Sequence, residues 1–133
     1  GWLDPIRYDA VNTFSRWFLL YGDASDDATT ESVIAASKFY DTLEPAERAK
    51  TAFVFMDIPG NKKAITKLAD TTQPSIQCMP GYLSKGYAVS LDHIDRNQAF
   101  PQLIEVASSG RIIRHINGSE AICAWLQDGD NAK

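Results

Sequence analysis

The sequence contains little of what most catalytic and metal-binding motifs require. Its 133 residues include two cysteines and two histidines. Cys78 and Cys123 are too few for a disulfide framework, and neither belongs to a CxxC pair or to a cysteine–histidine zinc spacing. We therefore expect no metal and no other cofactor. The spacing leaves open whether the two cysteines are free or bridged.

Positive charge is also scarce. Thirteen lysines and arginines stand against 17 aspartates and glutamates, so the net charge is -4. A chain with this balance lacks the basic field that attracts phosphates, and nucleic acid is not an expected partner. The longest apolar runs, 17–21 and 51–56, are far shorter than the roughly 20 residues that cross a bilayer, so no transmembrane segment is expected. The sequence leaves open whether the protein is cytoplasmic or exported after removal of a signal peptide.

Length and composition indicate a single domain over residues 1–133. A chain of this size can build one hydrophobic core but is short for two domains. Hydrophobic residues make up 44% and charged residues 23%, which is typical of a folded globular protein. The composition changes near residue 51, which divides the domain into a helical part, 1–50, and an α/β part, 51–127.

The helical part shows apolar residues at helical spacing. Aromatic residues recur every three or four positions up to Tyr21, which predicts an amphipathic helix that Gly22 ends. A second helix is predicted from Thr29 or Thr30 to about Leu43. Pro45 then predicts a new helical start, because proline is tolerated in the first turn of a helix.

The α/β part begins with a short strand, 51–56, whose residues are β-branched and aromatic on both faces. A helix from about Asn61 to Asp70 follows, and residues 71–86 are predicted to be irregular. Alternating apolar residues predict three further strands, at 87–92, 101–106 and 111–116. The last two strands form a hairpin, and Ser119 caps a final helix.

The C-terminal elements have a recognisable order. Phe100-Pro101 opens a strand, a hairpin follows, and Asn117-Gly118 ends it before the final helix. This order resembles the C-terminal half of thioredoxin-like domains, in which the proline is usually cis. Over residues 51–127 the resemblance implies an α/β fold with a mixed sheet of about four strands, preceded by two N-terminal helices and followed by a C-terminal helix.

The resemblance also implies where a redox motif would lie. Thioredoxin-like proteins carry CxxC at a strand-to-helix turn, and we assign that turn to Pro59-Gly60-Asn61-Lys62, which contains no cysteine. The resemblance therefore implies a redox-silent version of the fold. An alternative is an antiparallel meander in an α+β cone that resembles nuclear-transport-factor-2-like domains, in which acids and histidines line a cavity.

Our first functional expectation is a protein-interaction or assembly domain that binds a protein partner or associates with itself. The candidate partner-binding residues are Pro59, Gly60, Asn61, Phe100 and Pro101, which the resemblance places at one end of the sheet.

The second expectation is a small enzyme. It is either a thiol oxidoreductase that uses Cys78, which we place in a loop, or an acid–base cavity enzyme that uses His93 with Asp92 or Asp95. Cys123 lies between apolar neighbours, so we expect it to be a small buried hydrophobic residue. We favour binding over catalysis.

Overall fold

Five strands in the described part of the chain form the central sheet of the protein. The computed structural model describes residues 14–80, 98–107, 109 and 111–128. The strands are β1 (Arg16–Gly22), β2 (Thr51–Asp57), β3 (Gln77–Pro80), β4 (Gln102–Ala107) and β5 (Ile112–Asn117). Their order across the sheet is β3-β2-β1-β4-β5. The first three strands are parallel to one another, and β4 runs antiparallel to both β1 and β5.

The described helices are α1 (Asp27–Thr42), α2 (Pro45–Ala49), α3 (Lys62–Thr72) and α4 (Ser119–Asp128). The predicted start signals explain two of them. Pro45 occupies the first turn of α2, and the Asn61 side chain caps α3 by accepting from the backbone N–H groups of Lys63 and Ala64. Over the described residues, none of these helices combines the length and the apolar character needed to span a bilayer.

Strand β1 corrects the largest error of the sequence analysis. Residues 14–21 were predicted to belong to a helix, whereas Arg16–Gly22 is the middle strand of the sheet. The prediction was wrong because a continuous apolar run satisfies helical and strand spacing equally well. The part of the predicted helix that precedes Phe14 lies outside the described residues.

Both faces of β1 are buried, and each contributes to a separate core cluster. Phe18 and Leu20 belong to the first core cluster, on the face covered by α1, α3 and α4, together with Val33 and Ile122. Trp17, Leu19 and Tyr21 belong to the second core cluster, on the opposite face. This two-sided burial explains the unbroken apolar sequence of the strand.

The segment 71–86 was predicted to be irregular, but residues 77–80 form β3, which pairs in parallel with β2. Cys78 therefore lies in a strand and not in a loop. The predicted strand 87–92 lies outside the described residues.

The alternative fold, an α+β cone with an antiparallel meander, is wrong. The parallel pairing of β1 with β2 is incompatible with it.

A buried carboxylate joins β1, β4 and β5 near the end where β1 begins. Glu105 accepts from Arg16 Nε at 2.8 Å and from Arg114 Nε at 2.5 Å, with its side chain only 4% exposed. The two guanidinium groups also lie over aromatic rings, Arg16 over Phe18 and Arg114 over Trp125. Each strand contributes one member of this charged group, so it ties three strands together.

We expect Glu105→Gln to lower the free energy of unfolding by about 2–3 kcal/mol, because two partly buried guanidinium groups lose their countercharge. The figure is below that for a fully buried pair, since the Arg114 side chain is 31% exposed. Urea denaturation measures the change. Glu120→Gln, at an exposed position of α4, is the matched control. Equal stability of the two variants would contradict a stabilising role for Glu105.

Candidate functional site

Three chain segments meet at the end of the sheet where β1 and β2 finish, which we call the site edge. Strands β1 and β2 are parallel, so both have their carboxyl ends here, where Gly22 pairs with Asp57. Strand β4 runs in the opposite direction and begins here, directly after Pro101. The Phe100-Pro101 peptide bond is cis, as the resemblance implied.

Gly22 is packed so closely that no side chain fits. A Cβ atom at this position would lie 2.6 Å from Thr29 Oγ1 and 3.2 Å from Pro101 Cβ. The end of β1, the first turn of α1 and the cis proline are therefore in direct contact. Thr29 is fully buried, and its hydroxyl has no hydrogen-bond partner among the described residues.

Asp57 fixes the two strand-to-helix turns at this edge. Its fully buried carboxylate accepts from Ala24 N at 2.7 Å through Oδ1 and from Asn61 N at 2.7 Å through Oδ2. Ile58 N also donates to Gly22 O at 2.9 Å. The turn after β1 and the turn after β2 are thus held side by side by a single charged group.

The turn next to Pro101 is the one that follows β1. The sequence analysis placed the redox-motif position at 59–62, but that turn belongs to β2, which does not pair with β4. Because β1 had been taken as a helix, the preceding strand-to-helix turn was missed. Residues 23–27 of this turn are Asp-Ala-Ser-Asp-Asp, again without cysteine. Asp23 Oδ1 accepts from Ser25 N and Oγ, which closes the turn locally.

The predicted partner-binding residues lie along this edge. Pro59 is exposed, Gly60 has a positive φ of 68°, and Asn61 caps α3. Phe100 packs against the second core cluster and Pro101 is buried. The turn at 59–61 and the Pro101 segment therefore flank Gly22, and a binding role for these residues stays a prediction. His93 and Asp95 lie outside the described residues.

Both cysteines are free thiols, and both are half-buried. Cys78 packs against the first core cluster from β3, and burial raises the pKa of its thiol to about 11. At neutral pH this thiol is protonated and a poor nucleophile. The expectation that Cys78 lies in a loop is wrong, since it lies in β3, whereas a catalytic role for Cys78 stays a prediction.

Cys123 is half-buried and not fully enclosed, contrary to our expectation. It lies on α4, where Ser119 Oγ is 3.8 Å from its Sγ atom and the carbonyl oxygen of Glu31 is 3.9 Å away. Helix α4 starts at the site edge, since Gly118 N donates to Pro101 O at 2.8 Å. Cys123 is four positions after Ser119, so its Cα lies about 6 Å further along the helix from that edge.

Sequence reasoning missed this position because it treated Cys123 as part of an apolar run. The signal that was available is the pair Ser119 and Cys123, four residues apart, which places a hydroxyl and a thiol on one helix face. Over the described residues, no group of three histidine, cysteine, aspartate or glutamate side chains could hold a metal ion.

The solved structures of other proteins identify the fold. Similar folds occur in StoA from Bacillus subtilis (TM-score 0.59, 14% identity, 84% of this chain and 81% of that one) and in the thioredoxin domain of a thiol-disulfide oxidoreductase from Bacteroides vulgatus (0.63, 11%, 89% and 81%). A thioredoxin-like protein from Aeropyrum pernix is also similar (0.67, 10%, 96% and 83%). This chain therefore has a thioredoxin-like α/β fold.

No protein-family model and no curated protein matches the sequence. The similar structures include thiol-disulfide oxidoreductases and a thiol-disulfide isomerase from Corynebacterium glutamicum. Our interpretation of the chain as a redox-silent interaction or assembly domain is contradicted by these similar structures, which are named as thiol-disulfide enzymes. That interpretation rested on the absence of cysteine at 59–62. The turn that contacts the cis proline, 23–27, also contains none, so thiol chemistry in this chain would have to use a cysteine outside both turns.

We expect Gly22→Ala to lower the free energy of unfolding by about 1–3 kcal/mol, because the added methyl group overlaps Thr29 and Pro101. Thr29→Ala removes the nearest overlapping atom and a hydroxyl without a partner. The double variant should therefore be more stable than Gly22→Ala alone. Chemical denaturation of all four proteins of this cycle tests the coupling, and strictly additive effects would contradict the contact.

The stability of the protein should fall at alkaline pH because of Cys78. Its pKa rises from 9.0 to about 11 on folding, so the unfolded chain loses this proton at lower pH than the folded protein. The contribution is complete below pH 9 and is lost as the pH rises from 9 to 11. In a Cys123→Ser background, Cys78→Ala should flatten this decline in urea denaturation. An unchanged pH dependence would contradict the burial of the thiol.

Proposed function

We propose that this protein exchanges thiols and disulfides through a single cysteine, Cys123. The observation that carries the proposal is the position of its thiol. It is half-buried, it contacts the Ser119 hydroxyl, and it lies one helical turn from the edge that contains the cis proline. The thiol-disulfide oxidoreductases of similar fold support this class of chemistry.

The proposed reaction needs no group beyond a substrate disulfide and a second thiol. The Cys123 thiolate attacks one sulfur of the substrate disulfide, forms a mixed disulfide and releases the other sulfur as a thiolate. A second thiol, on the substrate or on a small thiol compound, then attacks the substrate sulfur of the mixed disulfide. This step restores the Cys123 thiolate and leaves a rearranged substrate disulfide, so the protein itself has no net change in oxidation state.

Ser119 is the proposed positioning residue for the thiolate. Its hydroxyl can donate to Cys123 Sγ across the 3.8 Å contact. Ser32 Oγ lies 3.2 Å from Ser119 Oγ and 3.0 Å from the carbonyl oxygen of Ala28. This short network holds the Ser119 side chain in place, and a hydroxyl donor favours negative charge on sulfur.

The proposed substrate is a polypeptide that carries a disulfide. An extended segment that follows the edge at Phe100 and Pro101 would bring its disulfide within one helical turn of Cys123. The predicted binding residues Pro59, Gly60 and Asn61 flank the same edge. The proposal thus keeps the predicted protein partner and assigns it the role of a substrate.

We expect Cys123→Ser to abolish the formation of a mixed disulfide with 2-hydroxyethyl disulfide at pH 8, measured by intact-protein mass spectrometry. Cys78→Ser is the matched control and should retain the reaction, because burial keeps the Cys78 thiol protonated at this pH. An adduct that forms on Cys78, or one that forms equally well in both variants, would overturn the proposal.

The role of Ser119 is tested separately. Ser119→Ala should slow the reaction at pH 7 several-fold, since the attacking sulfur loses a hydroxyl neighbour. Ser119→Thr keeps the hydroxyl and should restore the rate. An equal loss of rate in both variants would indicate a purely structural role for this residue.

A further inference from the structure

A groove runs along the face of the protein that contains Cys123. It lies between α1, α2 and α4 and has a volume of about 600 Å³. Cys123 forms part of its wall and is the α4 lining residue nearest the edge at Pro101, and the groove extends from it in the direction away from that edge. The groove is therefore a second surface that a substrate can contact while it reacts with the Cys123 thiol.

The floor of the groove is apolar. Leu43, Ala35 and Leu126 line it together with Ile34 of α1. Ile34 is 38% exposed, which is unusual here, since only one other large hydrophobic residue of the described chain, Ile113, is as exposed. A contiguous apolar surface of this kind is suited to receive an apolar side chain from a partner.

The rim of the groove carries excess negative charge. Glu31, Glu44 and Glu47 line it with a single cation, Lys38. All three glutamates are exposed, and the Glu44 side chain makes no capping bond to α2 although it occupies the N-cap position. The glutamate side chains are thus accessible to cationic groups of a bound partner.

We propose that this groove binds the substrate segment next to the reacting cysteine, and that the segment combines an apolar residue with lysine or arginine. The apolar residue packs against Ile34 and Leu43, and the basic residues face the glutamates of the rim. This inference specifies the substrate of the proposed exchange at Cys123 and rests on it. It predicts a charge preference that the thiol chemistry alone does not explain.

The experiment compares two peptides with the same cysteine and the same neighbouring leucine. One carries lysines around them and the other carries glutamates, and each cysteine is presented as a mixed disulfide with 2-mercaptoethanol. At low ionic strength the lysine peptide should react with Cys123 about tenfold faster. The preference should shrink when about 0.5 M salt is added, because the rim charges are exposed.

Variants locate the preference in the groove. The double variant Glu44→Lys with Glu47→Lys should abolish or reverse it, and Ile34→Ser should slow both peptides. All of these proteins should react normally with neutral 2-hydroxyethyl disulfide. Asp70→Lys, a charge reversal on α3 outside the groove, is the control and should keep the wild-type preference.

The outcomes separate the inference from the function on which it rests. If 2-hydroxyethyl disulfide fails to react at Cys123, the proposed exchange is wrong. Binding of cysteine-to-serine versions of the two peptides, measured by fluorescence anisotropy, then tests the groove alone. Equal binding of the two versions, or a preference unaffected by the double variant, would overturn the inference. The inference would also be overturned if the protein sedimented as a dimer that the lysine peptide did not dissociate, because a second copy of the chain would then occupy the groove.

Discussion

The arrangement of the site edge depends on one buried carboxylate. Asp57 accepts two backbone N–H groups, one from the turn after β1 and one from the turn after its own strand. Each turn leads into a helix, so the same carboxylate sets where α1 and α3 begin relative to the sheet. The start of α1 in turn lies against Gly22 and Pro101. A change at Asp57 would therefore displace both turns and every residue that they position, including residues that do not touch it.

Much of the fold was predictable because its second half has unambiguous local signals. The strand 51–56, the Asn61 cap, the hairpin after Pro101 and the last helix each combine a clear period with a start or stop residue. Strand β1 was not predictable in the same way. Its apolar run contains no polar residue that would show whether one face of the strand is exposed to solvent or both faces are buried. Only pairing with β2 and β4 decides its conformation, and pairing is not a local property.

The site was harder to predict than the fold, because the chemistry of a cysteine depends on its surroundings. From sequence alone, Cys78 follows polar residues near Pro80 and suggests an exposed loop, whereas Cys123 follows isoleucine and suggests a core position. In the structure both cysteines are half-buried: Cys78 packs against the core from β3, and Cys123, on α4, lies in the wall of a groove. Neither environment is the one that the neighbouring residues suggest. Burial is set by tertiary contacts and not by adjacent side chains.

The position of β1 has a consequence for how the protein folds. It is the middle strand, and its partner β4 lies near the opposite end of the described sequence. On a ribosome, the early part of the chain could form α1, α2 and the β1–β2 pair, but the other edge of β1 would stay unpaired until β4 had emerged. The amides of β1 that face β4 should therefore gain protection later during synthesis than those that face β2. Once the sheet is complete, they should exchange with solvent only when the whole domain opens.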